Sequence, residues 1–175
     1  VADMLKVEDI KNVVKSTIDT YGTVDILFNN AGSLTLNNVL DISMEEWERV
    51  HKINVDAYLL MTREVAPYMK KNGKGSIINT GSVAGTSARW GPSAYCTSKH
   101  AVNGLTKAIA RELGPEIRCN AILPGAIKTE MLDSAGGEEA LQFMADMSPL
   151  KRIGQGSEIG KVALFFATDD SSFVT

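Results

Sequence analysis

The sequence predicts an α/β fold, a doubly wound parallel sheet of the Rossmann-like kind with helices on both faces. Segments with apolar residues at helical spacing alternate along the chain with short apolar runs. The runs at residues 24–28, 76–80 and 117–123 look like buried parallel strands, because polar or glycine-containing segments follow them. No linker, repeat or change of composition divides the chain, so we expect one domain over residues 1–175.

The first predicted helix covers residues 7–21, where apolar side chains recur at helical spacing. Gly22 follows it as a residue that readily ends a helix in the left-handed conformation. The first predicted strand, at residues 24–28, leads directly into Asn29-Asn30-Ala31-Gly32. A buried parallel strand that ends in a loop has this appearance.

A long helical segment is predicted after Ser43. The Ser43 hydroxyl is suited to cap the helix, and Glu45 and Glu46 favour the positive end of the helix dipole. Helical spacing then continues to Lys71, with room for one break, and Gly73 ends the segment.

Two more strands and three more helices complete the pattern. The strands lie at residues 76–80 and 117–123, and Pro124-Gly125 closes the second. The helices cover residues 93–113, 136–147 and 157–168. We expect Ser157 to cap the last of them. Residues 132–147 resemble a mobile lid over a fairly apolar substrate, although an ordinary packed helix fits the same composition.

Charge and cysteine content restrict the partners of the protein. Lys and Arg number 18 against 21 Asp and Glu, so the net charge of −3 does not favour nucleic acid. Cys96 and Cys119 make no disulfide framework, which favours a reducing, cytoplasmic location. No run of about 18 apolar residues is present, so we expect no membrane segment. His51 and His100 have no metal-ligand spacing, so we expect no metal site.

The chemistry is expected at the carboxyl ends of the strands, where open parallel sheets bind their ligands. Asn29-Asn30-Ala31-Gly32, Gly81-Ser82 and Pro124-Gly125 follow the three strands. The next helix offers Tyr95 and Lys99, whose four-residue spacing places a phenol and an ammonium on one helical face.

Each polar residue in this set also has an ordinary structural interpretation. A Tyr four residues before a Lys is common on amphipathic helices, and Ser82 by itself is a turn residue at a strand end. Asn54 by itself is a polar residue at a helix irregularity. The combination at the strand ends favours a chemical role over these separate explanations.

Four motifs occur in one order along the chain: Asn29-Asn30-Ala31-Gly32, Asn54, Ser82 and Tyr95-Cys96-Thr97-Ser98-Lys99. Together they resemble the short-chain dehydrogenase/reductase family. The separations also agree, with 24 residues from Asn30 to Asn54, 13 from Ser82 to Tyr95 and 4 from Tyr95 to Lys99. The resemblance extends over essentially the whole chain.

The resemblance implies an NAD(P)-dependent oxidoreductase that interconverts an alcohol and a carbonyl by hydride transfer. Tyr95 would then be the general acid/base. Ser82 would hold the substrate oxygen, and Asn54 would hold a water that links Lys99 to solvent. Lys99 would bind the nicotinamide ribose and lower the pKa of Tyr95 from its usual value near 10. A shift of ~3 units requires roughly 4 kcal/mol, so a second positive charge, such as an oxidised nicotinamide, would help.

The resemblance also implies a set of cofactor-binding residues. They are Asp3, Asn30, Ala31, Gly32, Tyr95, Lys99, Pro124, Gly125, Ile127 and Thr129. Asp3 would meet the adenine, whereas residues 124–129 resemble the family's segment beside the nicotinamide. The choice between NAD and NADP stays open, because the residues that would meet the ribose 2′ position have no counterpart here.

The sequence departs from the family at its start. The family's first strand, its Thr-Gly-x-x-x-Gly-x-Gly turn and the helix that receives the pyrophosphate have no counterpart. Residues 80–87 and 154–160 only imitate that turn, since their glycine spacing does not match it. We therefore expect an incomplete domain that lacks its first βαβ unit and its final strand. The alternative is a non-catalytic partner subunit without the pyrophosphate-binding loop.

Two helical segments carry apolar stripes that suggest self-association. The stripe residues are Leu59, Leu60, Val65 and Met69 on one segment and Val102, Leu105 and Ile109 on the other. Family members pair these helices across a two-fold axis, so the resemblance implies a homodimer or homotetramer. Packing of these side chains against the sheet would bury the same stripes without self-association.

The substrate class that the resemblance implies is a small alcohol or carbonyl compound, with 3-oxoacyl thioesters, steroids and sugar alcohols all compatible.

Overall fold

Three parallel strands form the central sheet in the computed structural model, which describes residues 1–134 and 137–175. They are β1 (Ile26–Asn29), β2 (Gly75–Thr80) and β3 (Ile117–Ile122), and β2 lies in the middle. The register pairs Asn29 with Asn79, and Thr80 with Ile122. The carboxyl ends of the three strands therefore meet at one edge of the sheet.

Helices cover both faces of this sheet, so the predicted doubly wound α/β class is confirmed. One face carries α1 (Val7–Tyr21), α3 (Ala57–Asn72) and α4 (Ser93–Leu113). The buried core on this face consists of the side chains of Val14, Leu27, Val65, Ala66, Met69, Ile77, Ile109, Ile117 and Cys119. The other face carries α7 (Gly156–Ala167), which packs Ala163 against Ile78 and Ile122.

The predicted helix boundaries are confirmed where local capping determines them. Gly22 and Gly73 end α1 and α3 with φ of 76° each, in the left-handed region that glycine adopts without strain. The Ser43 hydroxyl accepts a hydrogen bond of 3.1 Å from the Glu46 amide, as predicted for an N-cap.

The prediction that Ser157 caps the last helix is wrong. Gln155 is the N-cap of α7, and it forms a capping box with Glu158. The Glu158 carboxylate accepts a hydrogen bond of 2.8 Å from the Gln155 amide. Ser157 lies within the first turn, because Gly156 is already helical.

The long segment predicted after Ser43 contains the anticipated break. A first helix, α2 (Met44–His51), is followed by a π-helical segment, Lys52–Asp56, and then by α3. Such π-helical insertions are found frequently at functional sites. This one carries the fully buried Asn54.

Short elements near the carboxyl end of the sheet complete the fold. They are α5 (Glu130–Ser134), α6 (Glu138–Met147) and the parallel strand pair β4 (Ile127–Lys128) and β5 (Gly154–Gln155). The predicted lid helix corresponds to α6, and its predicted start at residue 136 lies outside the described residues. No helix in the two described ranges is long and apolar enough to cross a membrane.

The apolar stripes predicted for self-association mostly face the protein's own core. Val65, Met69, Val102 and Ile109 are all less than 5% exposed, and Val65, Met69 and Ile109 belong to the core that packs on the sheet. Leu59, by contrast, is 42% exposed. Most of the stripe residues are therefore unavailable for contacts with a second subunit, and a homodimer or homotetramer stays a prediction.

Candidate active site

Tyr95 and Lys99 lie on the first turns of α4, next to the carboxyl end of β2. Their four-residue spacing brings them together as expected, with the Lys99 Nζ atom 5.8 Å from the centroid of the Tyr95 ring. Lys99 Nζ also donates a hydrogen bond of 2.8 Å to the main-chain carbonyl of Thr80, the last residue of β2. The ammonium is thereby fixed at the edge of the sheet.

Ser82 follows β2 and is only 8% exposed. Its hydroxyl accepts a hydrogen bond of 3.1 Å from the Ala84 amide, and the same side chain lies close enough to Tyr95 to oppose the rise in the pKa of that phenol. The structure therefore brings Ser82, Tyr95 and Lys99 together, as the sequence predicted.

The expectation that Lys99 lowers the pKa of Tyr95 is not met in the protein alone. Burial raises the pKa of Tyr95 above its ordinary value, and the hydrogen bond from Ser82 offsets only part of that increase. Burial likewise lowers the pKa of Lys99 to about 8. Desolvation thus opposes both the phenolate and the ammonium.

Asn54 links two segments of the site, and the water that it is expected to hold stays a prediction. Its side chain is fully buried, and Oδ1 accepts a hydrogen bond of 2.7 Å from the Ser33 amide. Its Nδ2 donates to the Ser33 carbonyl and to Ser98 Oγ, each at 2.9 Å. The side chain therefore joins the loop after β1 to α4.

The loop after β1 is held close to the same cluster. Asn30 Oδ1 accepts a hydrogen bond of 3.1 Å from Thr80 Oγ1, which ties the ends of β1 and β2 together. Ala31 and Gly32 are exposed beside it. A Cβ atom at Gly32 would lie 3.7 Å from Asn54 Oδ1 and 3.9 Å from Lys99 Nζ. The expected cofactor-side residues 30–32 are thus adjacent to Lys99.

Below this loop, a buried ladder of amides links the strands. Asn29 Nδ2 donates to Asn79 Oδ1 at 2.9 Å, and Asn79 Nδ2 donates to Thr106 Oγ1 on α4 at 2.9 Å. The ladder connects β1, β2 and α4, so the elements that carry the site residues share one buried network.

The segment after β3 approaches the site from the other side. The Pro124 carbonyl accepts a hydrogen bond of 3.0 Å from the Val83 amide, next to Ser82. Gly125 is exposed with open space at its Cβ position, and Ile127 pairs with Gly154 in the short strand pair. Thr129 directly precedes α5, and its hydroxyl accepts a hydrogen bond of 3.3 Å from the Leu132 amide.

Asp3 lies apart from the Tyr95 cluster, at the start of α1. Its carboxylate accepts a hydrogen bond of 3.0 Å from the Leu5 amide, and its side chain is 45% exposed. The next residue, Met4, lines a small cavity of about 80 Å³ together with residues 27–31 and Tyr58. Asp3 therefore lies near the loop after β1 but makes no contact with Ser82, Tyr95 or Lys99.

Sequence reasoning missed two buried residues of the site. Ser98 Oγ donates a hydrogen bond of 2.8 Å to the Tyr95 carbonyl and accepts one from Asn54. Tyr58 is 1% exposed, and its hydroxyl donates to the Ala31 carbonyl at 3.0 Å. Ser98 belongs to the Tyr95-Cys96-Thr97-Ser98-Lys99 motif, which could have drawn attention to it. Tyr58 is an aromatic residue on an amphipathic helix, a pattern that indicates only packing.

The site's donor groups fit the ribose end of a nicotinamide cofactor. A lysine ammonium has three N–H donors, and the Thr80 carbonyl takes one of them. Gly32 leaves the approach to Lys99 free of a side chain, and the loop lies at the carboxyl ends of parallel strands. These features suit a diol that binds between Lys99 and Tyr95.

Comparisons with known proteins agree with this geometry. The family model described as enoyl-(acyl carrier protein) reductase matches residues 1–175. A 3-oxoacyl-[acyl-carrier-protein] reductase of Thermotoga maritima is 39% identical over 169 residues, covering 96% of this chain and 68% of that protein. Cyclohexanol dehydrogenase of Acinetobacter sp. (strain SE19) is 39% identical over 176 residues, covering 99% and 68% respectively.

Solved structures are similar over nearly the whole chain. Levodione reductase has a TM-score of 0.95 at 32% sequence identity, covering 100% of this chain and 71% of that chain. The ligand-free aldohexose dehydrogenase of Thermoplasma acidophilum has a TM-score of 0.92 at 32% identity, covering 99% and 72%.

Proposed function

This chain belongs to the short-chain dehydrogenase/reductase family, and we propose that it interconverts an alcohol and a carbonyl with Tyr95 as the general acid/base. It is an NAD(P)-dependent oxidoreductase that acts on CH–OH or carbonyl groups. The observation that carries the proposal is the shared position of three groups at the strand ends. Ser82 lies close enough to the Tyr95 phenol to favour its ionised form, while the Lys99 ammonium lies 5.8 Å from the centroid of the same ring.

Ser82 and Tyr95 hold the substrate oxygen between their hydroxyl groups. During reduction, Tyr95 donates its proton to the carbonyl oxygen, and during oxidation it takes the proton of the alcohol. Ser82 hydrogen-bonds the same oxygen and stabilises the charge that develops there. NAD(P), when bound, would supply or accept the hydride, and its oxidised form would add a positive charge that favours the phenolate.

Lys99 would bind the ribose hydroxyls with its remaining N–H groups, and its ammonium places positive charge next to Tyr95. Because burial raises the pKa of Tyr95, the phenolate needs more than this one ammonium. Proton exchange between Lys99 and solvent would pass through a water held by Asn54.

The remaining cofactor contacts come from three segments of the chain. Asn30, Ala31 and Gly32 would hold the cofactor on the β1 side. Residues 124–129 would hold the nicotinamide end, with Thr129 as a hydrogen-bond partner, and Asp3 would hold the adenine end. Residues 1–175 act as one domain, which spans 68% of the length of the Thermotoga reductase and of the cyclohexanol dehydrogenase.

A homodimer or homotetramer is part of the proposal, on a different surface from the apolar stripes. The exposed side of α4 carries small residues at helical spacing: Thr97, Ala101, Gly104 and Ala108. Small side chains allow a second helix to approach closely. Light scattering that shows a monomer at micromolar concentration would contradict the assembly.

A cytoplasmic location is also part of the proposal. Both cysteines are free and buried, which agrees with this location.

The test of the function is Tyr95→Phe, with Tyr21→Phe as the control because Tyr21 is 76% exposed. Removal of the acid/base is expected to lower turnover by ~10²–10⁴-fold. Cofactor affinity should stay within a few-fold, and the Tyr21→Phe variant should behave like the parent. Turnover is measured with both NAD(H) and NADP(H) and a panel of small alcohols and ketones. Unchanged turnover in Tyr95→Phe would overturn the assignment.

A further inference from the structure

A second tyrosine lies as close to the Lys99 ammonium as the proposed acid/base does. Lys99 Nζ is 5.9 Å from the centroid of the Tyr58 ring and 5.8 Å from that of the Tyr95 ring. Tyr58 is on the first turn of α3, directly after the π-helical segment, and is 1% exposed. The mechanism described above gives this side chain no role.

The surroundings of Lys99 offer little else to stabilise its charge. Its ammonium donates to the Thr80 carbonyl, and within the two described ranges no carboxylate lies within 4.0 Å of it. Lys99 is 3% exposed, so bulk solvent stabilises its charge little. An aromatic face within about 6 Å attracts a cation, and the attraction is larger where both groups are desolvated.

The Tyr58 hydroxyl makes a separate contact on the cofactor side. It donates a hydrogen bond of 3.0 Å to the Ala31 carbonyl, in the loop that also contains Gly32. Burial raises the pKa of Tyr58, so the phenol stays protonated and keeps donating at neutral and moderately alkaline pH. One rigid side chain therefore touches both the ammonium and the loop after β1.

We propose that Tyr58 is a positioning residue with two separable contributions: its ring keeps Lys99 charged inside the site, and its hydroxyl holds the Ala31 loop against the cofactor. The inference rests on the proposed function, because Lys99 matters there as the cation beside Tyr95. It predicts that ring and hydroxyl affect different measurements. Burial lowers the pKa of Lys99 to about 8, and loss of the ring would lower it further.

The first measurement is the titration of Lys99 in the cofactor-free protein. The lysine Cε resonances of ¹³C,¹⁵N-lysine-labelled protein are followed by NMR as a function of pH, and the Lys99 signal is assigned from its loss in Lys99→Met. Tyr58→Leu is expected to lower the Lys99 midpoint by about one pH unit. Tyr58→Phe retains the ring and should keep the parental midpoint, as should Tyr68→Leu, a control at the half-exposed tyrosine on the same helix.

A third variant keeps the test decisive if Tyr58→Leu does not fold. Replacement of Tyr58 by 3,4,5-trifluorophenylalanine preserves the shape of the ring while weakening its attraction for a cation. The Lys99 midpoint should then fall below that of Tyr58→Phe. Equal midpoints in the phenylalanine and trifluorophenylalanine proteins would overturn the role of the ring, as would a parental midpoint in Tyr58→Leu.

The second measurement is steady-state kinetics with cofactor and substrate. Tyr58→Phe should raise the KM for the cofactor about fivefold, the value of one hydrogen bond of about 1 kcal/mol, with kcat retained. A midpoint that falls from about 8 to about 7 lowers the charged fraction of Lys99 about threefold at pH 7.5, so kcat of Tyr58→Leu should fall by a similar factor. An unchanged cofactor KM in Tyr58→Phe would overturn the role of the hydroxyl. The titration needs no turnover, so its result is independent of the Tyr95→Phe test.

Discussion

Truncation of Asn54 to alanine is expected to destabilise the protein far more than a surface asparagine would. The Asn54 side chain is fully buried and makes three hydrogen bonds, two with the main chain of Ser33 and one with Ser98. Each such bond contributes about 0.5–1.5 kcal/mol net. The Ser33 amide, in a residue 7% exposed, would also lose its partner.

The expected magnitude follows from adding these contributions. Three lost bonds at about 1 kcal/mol each, and about 1–2 kcal/mol for the unsatisfied buried amide, correspond to a loss of about 4–5 kcal/mol in the free energy of unfolding. The cost arises in the π-helical segment and the loop after β1, which this side chain joins to α4. It is therefore a tertiary effect, not one of helix propensity.

The assay is urea unfolding at pH 7.5, followed by the fluorescence of Trp47 and Trp90. Asn12→Ala, at an exposed position of α1, is the matched control and should change stability by less than about 0.5 kcal/mol. A loss in Asn54→Ala below about 1 kcal/mol would show that the three bonds contribute little. The description of Asn54 as the link between the loop and α4 would then be wrong.

Three other predictions concern side chains and glycines elsewhere. Gly91→Ala would place a Cβ atom 2.9 Å from Tyr95 Cδ1, and displacement of that ring should lower kcat roughly tenfold to hundredfold; an unaltered kcat would contradict it. Gly22→Ala should destabilise by about 1 kcal/mol, because φ at Gly22 is 76°, whereas Gly160→Ala in the open interior of α7 should stabilise by about 0.5–1 kcal/mol. Thermal unfolding that shifts both variants in the same direction would refute this contrast. The pKa of the Glu158 carboxyl is lowered from 4.5 to about 2 by hydrogen bonds from its arginine partner and the Gln155 amide, so its contribution to stability is present above pH 4.5 and is lost as the pH falls towards 2. Urea midpoints at pH 7 and pH 3 should therefore show the difference between the parent and Glu158→Gln shrinking at the lower pH, and a constant difference would count against it.

Much of the fold could be predicted because its boundaries depend on local chemistry. The helix Ser93–Leu113 was predicted at its exact limits, and Gly22, Ser43 and Gly73 act at helix ends as expected. Capping and apolar periodicity involve residues a few positions apart, so they are written directly in the order of residues. The last helix shows the limit of this approach, since its N-cap is Gln155 and not the predicted Ser157.

The site could be predicted only as a set of residues. Ser82, Tyr95 and Lys99 were found because strand ends converge and because four-residue spacing defines a helical face. Tyr58 and Ser98 gave no separate signal, since their partners, Ala31 and Asn54, lie far away along the chain.

The sequence by itself thus determined the α/β class, the helix ends and the identity of the groups at the strand ends. Only the tertiary structure decided how deeply those groups are buried and which way their pKa values shift. Burial raises the pKa of Tyr95 and lowers that of Lys99, which reverses the expectation drawn from their proximity alone. The physical reason is that helix periodicity and capping are local, whereas desolvation and hydrogen bonding between distant segments depend on which elements pack together.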